Sequence, residues 1–156
     1  MPGNLYVKTV SPLSLAEFAR FIAEKLNINE FRERYSENYV NGLYLVSDAL
    51  GVTVHLALSD DSDFVHYPYW IYLGADDCWV EDSAVFESVA DLIARKLTQA
   101  GCVVARCPED GRIGADIWLY TIKSGTSGRS PNDLGIVIIR PPAPDPLARP
   151  TKDSQP

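Results

Sequence analysis

Residues 52–59 alternate strictly between large apolar side chains and polar or small ones, and this pattern constrains the fold more than any other stretch. The even-numbered positions from Val52 to Leu58 are all Val or Leu. Successive side chains of a β-strand point to opposite faces of a sheet, so a period of two predicts a strand with one buried face. Residues 39–46 form a second strand-like run. The Ala-Leu-Gly turn sequence at 49–51 predicts that the two runs form a β-hairpin.

Two other stretches have the periodicity of amphipathic helices. Ser14 and Glu17 form a capping box, in which the serine side chain accepts a backbone N–H and the glutamate reaches back. Apolar residues then recur at spacings of three and four, which predicts a helix over residues 14–26. A second helix is predicted over residues 82–99, and Gly101 is a suitable C-terminal stop.

Further strand-like runs surround and separate these elements, at residues 5–10, 67–73, 78–80, 102–105, 113–122 and 134–139. Strands grouped between two helices predict an α+β fold, with an antiparallel or mixed β-sheet of about five to seven strands and two main helices packed on it. The last run, Leu134–Ile139, is apolar throughout, which predicts a strand in the centre of the sheet.

The chain has 156 residues, and we assign residues 1–140 to a single α+β domain. Residues 141–156 hold six of the eleven prolines, which predicts a disordered tail. No apolar run approaches the roughly 20 residues of a membrane span, and the N-terminus lacks the pattern of a secretory signal. Three cysteines without a Cys-x-x-Cys pair favour reduced thiols and a cytoplasmic location, although Cys102 and Cys107 are close enough in sequence to pair.

Charge is divided unevenly along the chain. The net charge of −7 disfavours nucleic-acid and anionic-membrane partners, because both require clustered Lys and Arg. Residues 35–94 contain eleven acidic residues and no Lys or Arg, so this segment carries −11 while the flanks sum to +4. Acids are common in turns and at helix N-termini. A concentrated negative surface also attracts a positively charged partner.

Aromatic residues share this acidic segment, and rings inside a charged rim are typical of protein-binding patches. The sequence therefore predicts a non-enzymatic binding protein for a basic protein partner, acting as a monomer or homodimer without cofactor, metal, nucleic acid or membrane. The predicted partner-binding residues are Asp60, Asp61, Asp63, Tyr67, Tyr69, Trp70, Asp76, Asp77, Trp79, Glu81 and Asp82.

Other interpretations stay open at this point. His55 and His66, with the carboxylates of Asp60–Asp63, have the residue types of an acid–base pair or a metal site, which would make the chain a small hydrolase or metal-dependent enzyme. The Gly/Ser-rich stretch 124–130 is similar to phosphate-binding loops but lacks their Gly-Lys-Ser/Thr ending. An exposed strand edge would suit a structural subunit of a larger assembly or a homodimer.

The middle of the chain also resembles a known class of proteins over about sixty residues, from Tyr35 to Arg95. The resemblance is carried by Arg-Tyr-Ser-Glu-Asn-Tyr at 34–39, the hairpin around Gly42 and Gly51, the Asp pair at 60–61 and Tyr-Trp-Ile at 69–71. These features look like those of small bacterial immunity proteins, which neutralise toxins of neighbouring cells. The resemblance implies a cytosolic, non-enzymatic α+β protein that blocks a cognate toxin, and many such toxins are basic nucleases.

Overall fold

Eight strands and two α-helices form the regular structure of the described residues, which in the computed structural model are 4–49, 51–74, 83–108 and 116–139. The helices are α1 (Leu15–Leu26) and α2 (Ser83–Gln99). The strands are β1 (Asn4–Lys8), β2 (Arg32–Tyr35), β3 (Leu43–Ala49), β4 (Val52–Leu58), β5 (Tyr69–Gly74), β6 (Val103–Cys107), β7 (Ile117–Ile122) and β8 (Leu134–Ile139). The predicted strand at 78–80 and the predicted tail at 141–156 lie outside the described residues.

All eight strands belong to one sheet, in the order β2-β3-β4-β5-β1-β6-β7-β8, and every neighbouring pair is antiparallel. The α+β class, the antiparallel sheet and the two helices are as the sequence predicts. The number of strands is larger than the five to seven expected. One strand that the sequence does not reveal is β2, whose residues Arg-Glu-Arg-Tyr are all exposed and carry no apolar alternation.

Both helices lie on the same face of the sheet. Helix α1 packs over β4, and α2 packs over β1, β6 and β7. The side chains that point toward the helices, among them Leu5, Val54 and Ile71, are fully buried in one core with Phe18 and Ile22 of α1. We call this the helix face, and the opposite surface of the sheet the open face.

The ends of the helices follow the local chemistry of the sequence. The Ser14 hydroxyl accepts a hydrogen bond from the backbone N–H of Glu17 at 3.1 Å, as the capping box predicts. Asn27, the C-cap that follows α1, adopts left-handed backbone angles, and Gly101 takes a φ of +94° after α2. None of the helices in the described part of the chain is long and apolar enough to cross a membrane.

Strand β8 is at one edge of the sheet, not in its centre, which corrects the expectation from its apolar sequence. Its residues Val137, Ile138 and Ile139 are 51%, 50% and 43% exposed. Strand β5 is in the interior instead, between β4 and β1, with Pro68 just before its first residue. Apolar content alone therefore predicts a strand but does not fix its place in the sheet.

Tyr69 is a core residue on the helix face. It is 2% exposed, and its ring stacks on Phe18 with centroids 4.0 Å apart. Its hydroxyl donates to the carbonyl of Leu13 at 2.5 Å and accepts from the Leu13 N–H at 2.8 Å. The phenol thus ties the segment before α1 to the middle of the sheet.

Replacing Tyr69 by Phe should lower the free energy of unfolding by about 1–2 kcal/mol, because both polar backbone groups of Leu13 lose their partner. Denaturant titration measures the change. Tyr35→Phe is the matched control, because Tyr35 is 75% exposed, and its effect should stay within about 0.5 kcal/mol. Equal stabilities for the two variants would contradict a structural role for the Tyr69 hydroxyl.

Candidate functional site

Six of the eleven predicted partner-binding residues lie in the part of the chain that the structure describes. Asp60, Asp61, Asp63 and Tyr67 lie in the connection between β4 and β5, and Tyr69 and Trp70 begin β5. The remaining five, Asp76, Asp77, Trp79, Glu81 and Asp82, lie outside the described residues. The site is therefore built from the connection at residues 59–68, which we call the acidic connection, and from the strands beside it.

The acidic connection is fastened to the open face by Asp61. One carboxylate oxygen of Asp61 accepts the backbone N–H of Asp63 at 2.9 Å and begins the short 3-10 turn Ser62–Phe64. The other oxygen accepts the hydroxyl of Tyr6 at 2.8 Å. Asp60 and Asp63 remain exposed. Asp61 thus has a structural function, and its two acidic neighbours point their charge to solvent.

Aromatic stacking completes the attachment. Phe64 lies flat on Tyr6 of β1, with ring centroids 3.9 Å apart and an interplanar angle of 3°. Tyr67 meets Phe64 edge to face at 5.9 Å and stays half-buried. This small cluster also buries Ala105 and forms an apolar core on the open face. The charged turn is therefore held in a defined position beside the sheet.

Tyr69 and Trp70 face opposite sides of the sheet, as neighbouring strand residues must. Tyr69 lies in the helix-face core, so this member of the predicted surface is not exposed to a partner. Trp70 is on the open face and half-buried, and its indole N–H donates to the side-chain oxygen of Asn4 at 2.9 Å. Trp70 pairs directly with Tyr6 across the strands. The acidic connection and the Trp70 ring are therefore neighbours.

Further rings on the open face that are not among the predicted partner-binding residues extend this surface: Tyr39, Tyr44, His55 and Tyr72. Together with Trp70 they form what we call the aromatic row. Tyr39 stacks on Tyr44 with centroids 4.3 Å apart and approaches Trp70 at 6.0 Å. Trp70 lies 5.7 Å from Tyr72. The four tyrosine and tryptophan side chains are half-buried, so part of each ring is open to solvent.

His55 sits within the aromatic row and is 6% exposed. Its ring lies parallel to Tyr44 at 5.8 Å and edge-on to Tyr72 at 5.4 Å. Gly74 makes room for it, since a Cβ at position 74 would come within 3.1 Å of the imidazole Nε2. The His55 ring therefore fills the space between Tyr44 and Tyr72 on the open face of the sheet.

The two histidines have different surroundings. His55 lies in β4 and is 6% exposed. His66 is exposed within the acidic connection. Neither histidine lines the pocket of about 440 Å³ between the end of α1 and α2. Within the described ranges, no cluster of three His, Cys, Asp or Glu side chains is able to hold a metal ion.

Several donors of the Gly/Ser-rich loop at 124–130 are already hydrogen-bonded to the chain itself. The Asp133 carboxylate accepts the Ser130 backbone N–H at 3.2 Å and the Ser127 hydroxyl at 3.4 Å. The Ser130 side chain in turn caps the 3-10 turn Pro131–Asp133. A carboxylate therefore occupies the place where an anionic ligand would meet these groups.

The structure also places the two described cysteines and the acidic residues Asp48, Asp60 and Asp63. Cys102 and Cys107 do not form a disulfide with each other. Burial raises the pKa of Cys102 to about 11, which keeps this thiol protonated and unreactive near neutral pH. Asp48 forms an ion pair with Arg32 at 3.7 Å. In the described part of the chain, Asp60 and Asp63 have no such cation beside them.

A buried polar network lies on the helix face, under α2. Tyr120 is 4% exposed and its hydroxyl donates to Asp91 at 2.8 Å, and Asp91 also accepts from Arg95 at 2.7 Å. Arg106, 3% exposed, lies next to the Tyr120 hydroxyl and over the ring of Trp118. These contacts join α2 to β6 and β7, and we assign the network to structure.

Together, the fold and this surface define an α+β protein with one antiparallel sheet, whose described helices cover one face and whose other face is aromatic. No known protein family matches the chain, and no curated protein or solved structure matches it. The geometry of the site is therefore the basis for any functional conclusion.

Replacing Asp61 by Ala should lower the free energy of unfolding by about 1–2 kcal/mol, because the Tyr6 hydroxyl and the Asp63 N–H lose their acceptor. Asp60→Ala is the control, because Asp60 is exposed, and its effect should stay within about 0.5 kcal/mol. Chemical denaturation of both variants measures the difference. If Asp61→Ala were as mild as Asp60→Ala, the acidic connection would not be fastened by this carboxylate.

Tyr120 should make the free energy of unfolding decrease as the pH rises above about 10. Burial is the main cause that raises its pKa from 10.0 to about 12. Its contribution is fully present below pH 10 and is lost as pH rises toward 12, by at most about 1.4 kcal/mol per pH unit. Tyr120→Phe should remove this part of the pH dependence, whereas the exposed Tyr35→Phe should retain it. Denaturant titrations from pH 8 to about pH 11 compare the slopes, and parallel curves for all three proteins would contradict the assignment.

Proposed function

We propose that this chain is a cytoplasmic, non-enzymatic binding protein whose acidic connection and aromatic row together contact a basic protein partner. The observation that carries the proposal is the adjacency of Asp61, Tyr6 and Trp70. Asp61 binds Tyr6, and Tyr6 pairs directly with Trp70 across the strands. Exposed negative charge and partly exposed rings thus lie beside each other on one face.

The charges of this surface support a basic partner. Asp60 and Asp63 are exposed, and neither forms an ion pair with the described cations of the chain. Residues 35–94 contain no Lys or Arg that would neutralise them within the segment. A field of one sign speeds the encounter with an oppositely charged protein and selects against partners of the same charge.

The rings supply the apolar part of the contact. Trp70, Tyr72, Tyr44 and Tyr39 are half-buried, so their positions are fixed by packing before any partner arrives. Rigid aromatic side chains lose little conformational entropy on binding and are frequent among the residues that dominate binding energy. The open face thereby offers anchors next to a charged margin, the arrangement expected of a protein-binding patch.

The kind of partner follows from the sequence resemblance to bacterial immunity proteins. We propose that the partner is a basic toxin domain, which the chain would neutralise by covering its positively charged surface. The −11 charge of residues 35–94 supports this reading. This proposal concerns the identity of the partner, and the proposed binding surface does not depend on that identity.

Reversing the charge of both Asp60 and Asp63 to Lys should slow association with the partner and flatten its dependence on salt, because long-range attraction is lost. The partner is first captured on the immobilised wild-type chain from an extract of the source cells and identified by mass spectrometry. Association rates are then measured by biolayer interferometry at several salt concentrations. We expect a decrease of at least about tenfold at low salt.

Glu24→Lys/Glu87→Lys is the matched control, because Glu24 on α1 and Glu87 on α2 are both exposed and the two helices are on the other side of the sheet. It changes the net charge in the same direction but should leave the association rate within about twofold. Trp70→Ala tests the rings separately and should mainly raise the dissociation rate. An acidic partner, or equal rates for the wild type and Asp60→Lys/Asp63→Lys, would overturn the proposal.

A further inference from the structure

Strand β8 has an apolar outer edge that no described strand covers. It pairs with β7 on one side only and ends the sheet. Val137 and Ile139 lie on the open face and Ile138 on the helix face, and each is between 43% and 51% exposed. Backbone N–H and C=O groups along such an edge are free to continue the hydrogen-bonding ladder.

The two edges of the sheet differ in kind. At the other end, β2 consists of Arg32, Glu33, Arg34 and Tyr35, all exposed. Charged side chains on an edge strand prevent another strand from pairing with it. Strand β8 has no charged residue between Leu134 and Ile139 and therefore lacks this protection. Of the two edges formed by the described strands, only that of β8 is suited to pairing.

We propose that two copies of this chain pair through β8, antiparallel and edge to edge, about a two-fold axis. A second copy brings an equally uncharged, apolar strand, so two molecules of net charge −7 meet where neither carries charge. The chain's own sequence after Arg140 is a poor alternative, because its six prolines have no N–H to give to a ladder. A β8–β2 contact would repeat without closing and would meet the charges of β2.

A register centred on Val137 brings the apolar side chains of both copies into contact with each other. It puts Val137 opposite Val137 of the second copy and Ile138 opposite Ile136, so side chains on the same face meet. The helix faces of both copies then lie on the same side of a continuous sheet. Both β2 strands remain at its ends, where their charges stop further growth. The dimer is independent of the binding surface proposed above.

The first test is the mass of the wild-type chain by sedimentation equilibrium. At about 100 µM, where a dimer with micromolar Kd is almost fully formed, the mass should be twice the 17.3 kDa of one chain. Val137→Lys and Ile138→Lys should both give the single-chain mass with unchanged circular dichroism. Val10→Lys, a control at an exposed site 83% accessible, should remain dimeric. A monomeric wild type, or dimeric Val137→Lys, would overturn the proposal.

A second test fixes the register. Val137→Cys brings two thiols opposite each other, and facing residues in an antiparallel pair have Cα atoms about 4.5–5.5 Å apart, within the range of a disulfide. Oxidation should produce a covalent dimer of Val137→Cys, measured on a non-reducing gel. Val10→Cys should stay a single chain under the same conditions. Absence of the covalent dimer in a Val137→Cys sample that sediments as a dimer would contradict this register.

Discussion

The decisive constraint on this molecule is that both described helices pack on the same face of an eight-stranded sheet. Helix α1 covers β4, and α2 covers β1, β6 and β7, so one face is a conventional core. The other face has to bury its apolar side chains by different means. It does so with rings from two connections, because Phe64 covers Tyr6 and Tyr39 covers Tyr44. The aromatic row is thus a consequence of the one-sided architecture.

The same constraint determines which acids remain available for binding. Both carboxylate oxygens of Asp61 accept hydrogen bonds, one from the backbone of the turn and one from Tyr6. Asp60 and Asp63 on either side remain exposed. A single short loop therefore contains a residue that fixes its position and two that present charge. This division explains why an acidic loop can keep a defined shape despite the repulsion between its carboxylates.

Much of the fold could be predicted from local patterns in the sequence. The alternation at 52–59 became β4, and the Ser14 capping box became the start of α1, because both signals depend on neighbouring residues only. The polar strand β2 has no such signal, since its pairing with β3 comes from residues distant in sequence. The apolar sequence of β8 predicted a central strand. Apolar content does not distinguish a strand buried in the middle of a sheet from one exposed at its edge, so this prediction was wrong. Tyr69 and Trp70 likewise share a strand, and only the position of the helices decides which one is buried.

The close fit of Gly74 against His55 links two positions from neighbouring strands. Because a Cβ at 74 would lie 3.1 Å from the imidazole Nε2, any side chain larger than hydrogen there requires the ring to move. His55 has little freedom to move, since Tyr44 and Tyr72 hold it on either side. During divergence these two positions are therefore expected to change together. A relative with alanine or serine at the equivalent of 74 should carry a smaller residue than histidine at the equivalent of 55.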